Sequence, residues 1–226
     1  MDIHDRLNEC YYHILEMAQN YHVPAFFRFS LNAFLSSLQS MKYLIYKLSK
    51  KDYEVDGIYK KYLEHLDGEH LFIKKMIDSR NTVIHESNLK MHSIAKLGIY
   101  RWKVHKLAIE VPINDIFIDS ASILNFYKPD FVGKDAKIMF LDDEHSAIGE
   151  EFGVWREWVV DGIGDKEILS MCLAAYDYFS TIIADIHKHY GKTLGLSAVK
   201  NDYFLISQVM VESDLDSSLH KKWGWD

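Results

Sequence analysis

Apolar residues recur at spacings of three and four through the first part of the chain, the period that lines them along one face of an α-helix. Leu7, Tyr11, Ile14, Leu15 and Ala18 predict a helix over residues 5–20. Pro24 stands where a second helix can open, since a proline in the first turn gives up only a donor that would be unpaired anyway. From there Phe27, Leu31, Phe34, Leu35, Leu38, then Tyr43 or Leu44, and Leu48 predict the longest regular helix of this region. The charged stretch "KKDYEVDG" reads as a connection to a shorter helix, "IYKKYLEHL", followed by a turn at Asp67-Gly68. From Glu69, the positions of Phe72, Ile73, Met76, Ile77, Val83 and Ile84 predict another long helix reaching Asn88.

The period changes after Ser93. "KLGIYRWKVHKLAIEVPI" and "AKIMFLDDE" alternate polar and apolar residues of strand-forming type, while "VWREWVV" suits helix or strand equally. Helical spacing returns over residues 165–189, with Asp165 placed to cap its start and Gly191 to follow its end. The tail "NDYFLISQVMVESDLDSSLHKKWGWD" reads as an appended strand or an arm. Its last tryptophans, Trp223 and Trp225, are costly to leave in water and should dock on a folded surface. With no repeat and no Gly/Ser or Pro-rich linker, the expectation is one domain over residues 1–226. It would carry a β-containing insertion at about 94–160 and an appended tail at about 196–226.

Composition sharpens this picture in three places. Hydrophobic residues make up 48% of 226, with three prolines and eleven glycines, which excludes a disordered or collagen-like chain. A net charge of −7 argues against a broad basic surface for nonspecific nucleic-acid binding, yet a few cations in a cleft can still dominate the field there. Cys10 and Cys172 lie far apart and the start "MDIHDRLNEC" lacks a leader pattern, so a reducing cytoplasm is expected. The apolar stretch "ILSMCLAAYDYFSTIIADIH" is interrupted by Asp177 and Asp185, expensive in lipid, and reads as a core helix with no membrane partner.

Candidate chemistry concentrates in "DSRNTVIHES", residues 78–87. On a helix, Lys74, Asp78, Asn81 and His85 share one stripe, whereas Arg80 falls in the row Ile73, Ile77, Arg80, Ile84, otherwise apolar. A guanidinium in such a row either snorkels from the core's edge or is held at an interface. Histidine can move a proton near neutral pH, arginine can hold a phosphate and oppose charge building on its oxygens, and asparagine can orient either. Those roles suit phosphodiester cleavage by the 2′-hydroxyl that RNA itself carries, which needs no metal or cofactor. Twelve histidines invite a metal reading, but neither His85 with His92 nor His187 with His189 has the spacing of a zinc-protease helix. No Gly-rich phosphate loop is present, and neither cysteine sits in an activating sequence.

"RNTVIH" resembles the Arg-Asn-three residues-His motif of the HEPN superfamily, helical proteins that include metal-independent endoribonucleases. A looser pattern, arginine then four to six residues then histidine, is expected about once by chance here, and Arg6 to His13 also satisfies it. Asparagine directly after arginine lowers that expectation to about 0.01. The order of elements, long helices before the motif and one after it, is also similar over residues 5–90 and 165–190. The resemblance implies a mainly α fold, a HEPN-like helical bundle with a small β or extended insertion between the motif helix and the last long helix. It implies Arg80, Asn81 and His85 as catalytic residues, with Asp78 supporting, no metal and no cofactor. It further implies a homodimer through the motif helix, so that two copies share one cleft. RNA would be the substrate, and an antitoxin such as a minimal nucleotidyltransferase a partner of a toxin or defence effector. The alternative is a noncatalytic nucleotide-binding or protein-interaction module, with Arg80 paired to Asp78 or another carboxylate and His85 satisfied at a boundary.

Overall fold

The computed structural model of the protein describes residues 3–85, 89–111, 113, 115–193 and 206–225, without side chains for residues 81–85. The chain forms two compact units, the first from residues 1–19, 26–91 and 159–200, the second from residues 20–25, 92–158 and 201–226.

The first unit holds α1 (Ile3–Gln19), most of α2 (Pro24–Ser49), α3 (Tyr53–Leu66), α4 (Leu71–His85) and α7 (Ile168–His189), the last packing on α1, α3 and α4. Leu7, Cys10, Ile14 and Met17 of α1 are buried, as the period requires. On α2 the buried row runs Phe27, Leu31, Phe34, Leu35, Leu38 and then Met41 and Ile45, leaving Tyr43 and Leu44 on another face. α3 begins earlier than its charge suggests. The Asp52 carboxylate accepts from the Glu54 and Val55 amides at 3.0 and 3.2 Å, satisfying orphan donors of the first turn, and Gly57 is carried inside the helix. Asp52 also accepts from the Tyr190 hydroxyl at 2.7 Å, tying the start of α3 to the end of α7. That bond, first, holds the Asp52 carboxyl below the usual range. α7 is capped by Glu167 rather than Asp165, accepting from the Leu169 and Ser170 amides at 2.9 and 2.6 Å, and Gly191 follows its end at φ 66°. It is long and apolar enough to cross a membrane, but 67% of its most apolar window is buried in the protein, the pattern of a core helix.

The second unit is built on a four-stranded sheet in the order β2-β1-β3-β4: β1 (Met91–Arg101), β2 (Val104–Val111), β3 (Glu150–Val160, its last two residues counted with the first unit) and β4 (Val209–Val211). β1 and β2 form an antiparallel hairpin whose turn residues Trp102 and Lys103 sit at φ 50° and 62°, the left-handed region that side chains rarely adopt. One face of the sheet packs Ala95, Leu97, Val111, Phe152 and Val154 against Ile123, Leu124 and Phe131 of α5 (Ser120–Phe131). On the other, Tyr100 meets Val209 and Val211. The short α6 (Asp143–Ala147) precedes β3, and α8 (Glu212–Leu215) and α9 (Ser218–Trp223) follow β4. Trp225 closes this end. Its ring lies 4.8 Å from Trp102 and 4.9 Å from Trp223, and its Nε1 donates to the Ser146 carbonyl at 3.0 Å.

This sheet corrects the expected fold class. Among the described residues the chain is mixed, 59% helix and 16% strand with an antiparallel four-stranded sheet, not a helical bundle with a small insertion. The region after the motif helix has its own core, and the tail supplies its last strand and part of its cover. "AKIMFLDDE" forms no strand; its end opens α6, and the unforeseen α5 occupies "SASILNFYKPDF". "VWREWVV" lies wholly in β3.

Candidate active site

α4 carries the motif, from Arg80 to His85 at its C-terminal end, and the side chains of Asn81 and His85 lie outside the described residues, as do residues 86–88. Ile73, Met76 and Ile77 anchor the helix from its apolar side, all buried. Asp78 points to solvent, on the stripe expected of it. Arg80, at the edge of the buried row, lines a cleft of about 380 Å³ with Arg6 of α1 and Gln39, Ser40, Tyr43 and Leu44 of α2. Three helices thus place two guanidiniums at one opening.

The two arginines differ in how they are held. Arg6 is paired with Glu9 one turn along, and Glu9 also accepts from the Ser37 hydroxyl at 3.2 Å, so the arm is fixed from below. Arg80 Nε is buried without a hydrogen-bond partner among the described residues, an expensive state for a donor that cannot be discharged. An acceptor entering the cleft would remove that penalty. The Ser40 hydroxyl donates to the Ser36 carbonyl at 2.8 Å, leaving lone pairs toward any donor a ligand brings. Among the described residues no carboxylate lines the opening, and Tyr43 is 62% exposed at its side. This arrangement can hold an anion beside a flat apolar group.

Residues 1–208 match the sequence profile of the family described as bacteriophage lambda protein Ea47. The chain belongs to that family. No curated protein and no solved structure matches it. For this Ea47-family chain the match takes in the whole first unit and ends just before β4, so it includes every residue of the cleft. Family membership fixes no reaction, and the chemistry rests on the side chains.

The motif pointed to Arg80 but not to the residues beside it. Arg6 belonged to a pattern common enough to arise by chance, and Tyr43 and Leu44 sat in an apolar row, which hid their place at the opening. Other reactive groups are sequestered. The Cys10 thiol is pushed up to about 12 and that of Cys172 well above its ordinary value, each by burial, so neither is a nucleophile. In the second unit His22 Nδ1 lies 2.9 Å from Ser120 Oγ, but Ser120 is buried and His22 half-buried, and the pair ties residues 20–25 to α5. His189 Nε2, one of the candidate metal ligands, lies 3.2 Å from Asp52.

Proposed function

We propose that this protein is a metal-independent endoribonuclease, a toxin or defence effector that cuts RNA through its own 2′-hydroxyl. The observation that carries the reading is Arg80: a motif arginine whose buried Nε lacks an acceptor among the described residues, at the wall of a cleft with a second guanidinium and, among the described residues, no lining carboxylate. A phosphodiester supplies the missing acceptor. In the proposed reaction His85 takes the 2′-hydroxyl proton as the 2′-oxygen attacks the adjacent phosphorus. The bond to the 5′-oxygen breaks and that oxygen receives a proton from a second, protonated imidazole, leaving a 2′,3′-cyclic phosphate and a 5′-hydroxyl. Arg80 opposes the charge that builds on the nonbridging oxygens, and Asn81 orients the imidazole or the phosphate. In a homodimer formed through α4, His85 of a second copy is the natural source of the second proton.

Wild-type protein and the His85→Ala variant, incubated side by side with mixed cellular RNA in chelator, test this. Cleavage by the wild type alone, yielding 5′-hydroxyl ends, is the expected result. Cutting that persists in His85→Ala, or that needs a divalent metal, refutes the mechanism. Arg80→Ala should lower the rate about 10²–10³-fold, the loss usual for one charge-stabilising donor.

A further inference from the structure

The cleft does not end at Arg80. Ser40, Tyr43 and Lys47 follow one another on α2 at spacings of three and four, so they share one helix face, and Ser40 and Tyr43 line the opening. Lys47, in the last turn of α2, is exposed, and seven residues separate it from Ser40, about 10 Å along the axis. The face therefore presents a guanidinium pair, then an exposed ring, then an ammonium. Aromatic faces flanked by cations are how proteins follow single strands without reading sequence, because each base has a π-face and each phosphate a charge. A folded duplex buries its base faces and would leave Tyr43 unused.

We infer that this face of the first unit is a binding track for single-stranded RNA, in which one nucleotide sits in the cleft with its phosphate between Arg6 and Arg80 and its base against Tyr43, and Lys47 meets the next phosphate. The assignment rests on the ribonuclease reading for the choice of RNA, but its geometry does not involve His85. It also gives Glu9 and Ser37 a role: they hold Arg6 in place before the strand arrives.

Titrating the full-length protein with a fluorescent 2′-O-methyl oligoribonucleotide, which lacks the nucleophile and cannot be cut, tests the track. Tyr43→Ala should weaken binding at least about tenfold. Arg6→Gln should weaken it as well, and Lys47→Ala should flatten the dependence of log affinity on log salt by about 0.7, one phosphate contact on a single strand. Lys47 and Tyr43 are exposed, so these variants keep the fold, and far-ultraviolet circular dichroism checks that they do. Unchanged affinity in Tyr43→Ala and an unchanged salt slope in Lys47→Ala overturn the track, even if the protein cuts RNA and His85→Ala does not. Losses of binding as described, with no cleavage by the wild type, leave the track standing and refute the ribonuclease.

Discussion

His22 offers a direct measure of how much the second unit depends on a neutral, half-buried imidazole. Burial first, then the nearby cations Arg156 and Lys103, lower its pKa from the ordinary 6.5 to about 4. A group depressed on folding contributes stability that is present above its unfolded pKa and lost as pH falls toward the folded one. Above 6.5 both states are neutral and nothing is lost. Between 6.5 and 4 the unfolded chain takes up a proton that the folded chain refuses, so stability declines across that window and levels off below it. At pH 5.0 the linkage amounts to about 2 kcal/mol relative to pH 7.5. The His22→Asn variant keeps a donor and acceptor near Ser120 Oγ but does not titrate, so the difference between wild type and variant isolates this one group. All five tryptophans, Trp102, Trp155, Trp158, Trp223 and Trp225, lie in the second unit, so urea unfolding followed by tryptophan fluorescence reports on that unit alone. The wild type should lose about 2 kcal/mol more than the variant between pH 7.5 and 5.0. Equal losses in the two proteins refute the argument that His22 is kept neutral by its surroundings.

Two further outcomes follow from the same unit. Arg156 is fully buried, donates to the Ile116 and Ile118 carbonyls at 3.3 and 2.8 Å and to Ser93, and stacks 4.0 Å over the Trp158 ring; Arg156→Met should cost about 2–4 kcal/mol in the same urea assay by stranding those acceptors. Gly149 has φ 83° and an added Cβ would meet the Trp102 ring at 2.5 Å, so Gly149→Ala should destabilise the unit by about 1–3 kcal/mol and displace Trp102, visible as a shift in tryptophan emission.

Helical periodicity made α1, α2 and α7 legible because each buries a regular face, and α7 leaves only the stripe Ser170, Ala174, Asp177 and Thr181 and its last residues exposed. Capping was the weaker signal. Asp52 starts α3 ahead of a glycine and a charged run that looked like a loop, and Glu167 rather than Asp165 caps α7 because the helix begins at Ile168, which puts the Leu169 and Ser170 amides in reach of the Glu167 carboxylate. The fold class was misjudged for a nonlocal reason: strand alternation over residues 94–111 and the apolar run of the tail are far apart, and nothing local says that β4 completes the sheet of β1, β2 and β3. α5 escaped notice because Pro129 near its end reads as a stop, although Asp119 caps its start by accepting from the Ser122 amide at 2.7 Å. At the cleft, one arginine was legible from its motif. Its companion required knowing which face of α1 looks toward α4, and that is a property of packing rather than of spacing.

The interleaving of the two units has a consequence for biogenesis. Each is assembled from separated stretches, so a ribosome that has delivered the motif helix, the β1–β2 hairpin and β3 still holds back α7 for one unit and β4, α8 and α9 for the other. Contacts of such long sequence separation form late. The nascent chain therefore exposes the apolar faces that α7 will cover until that helix has been made, and a newly made molecule acquires the supported α4, and with it the cleft, only once α7 has emerged.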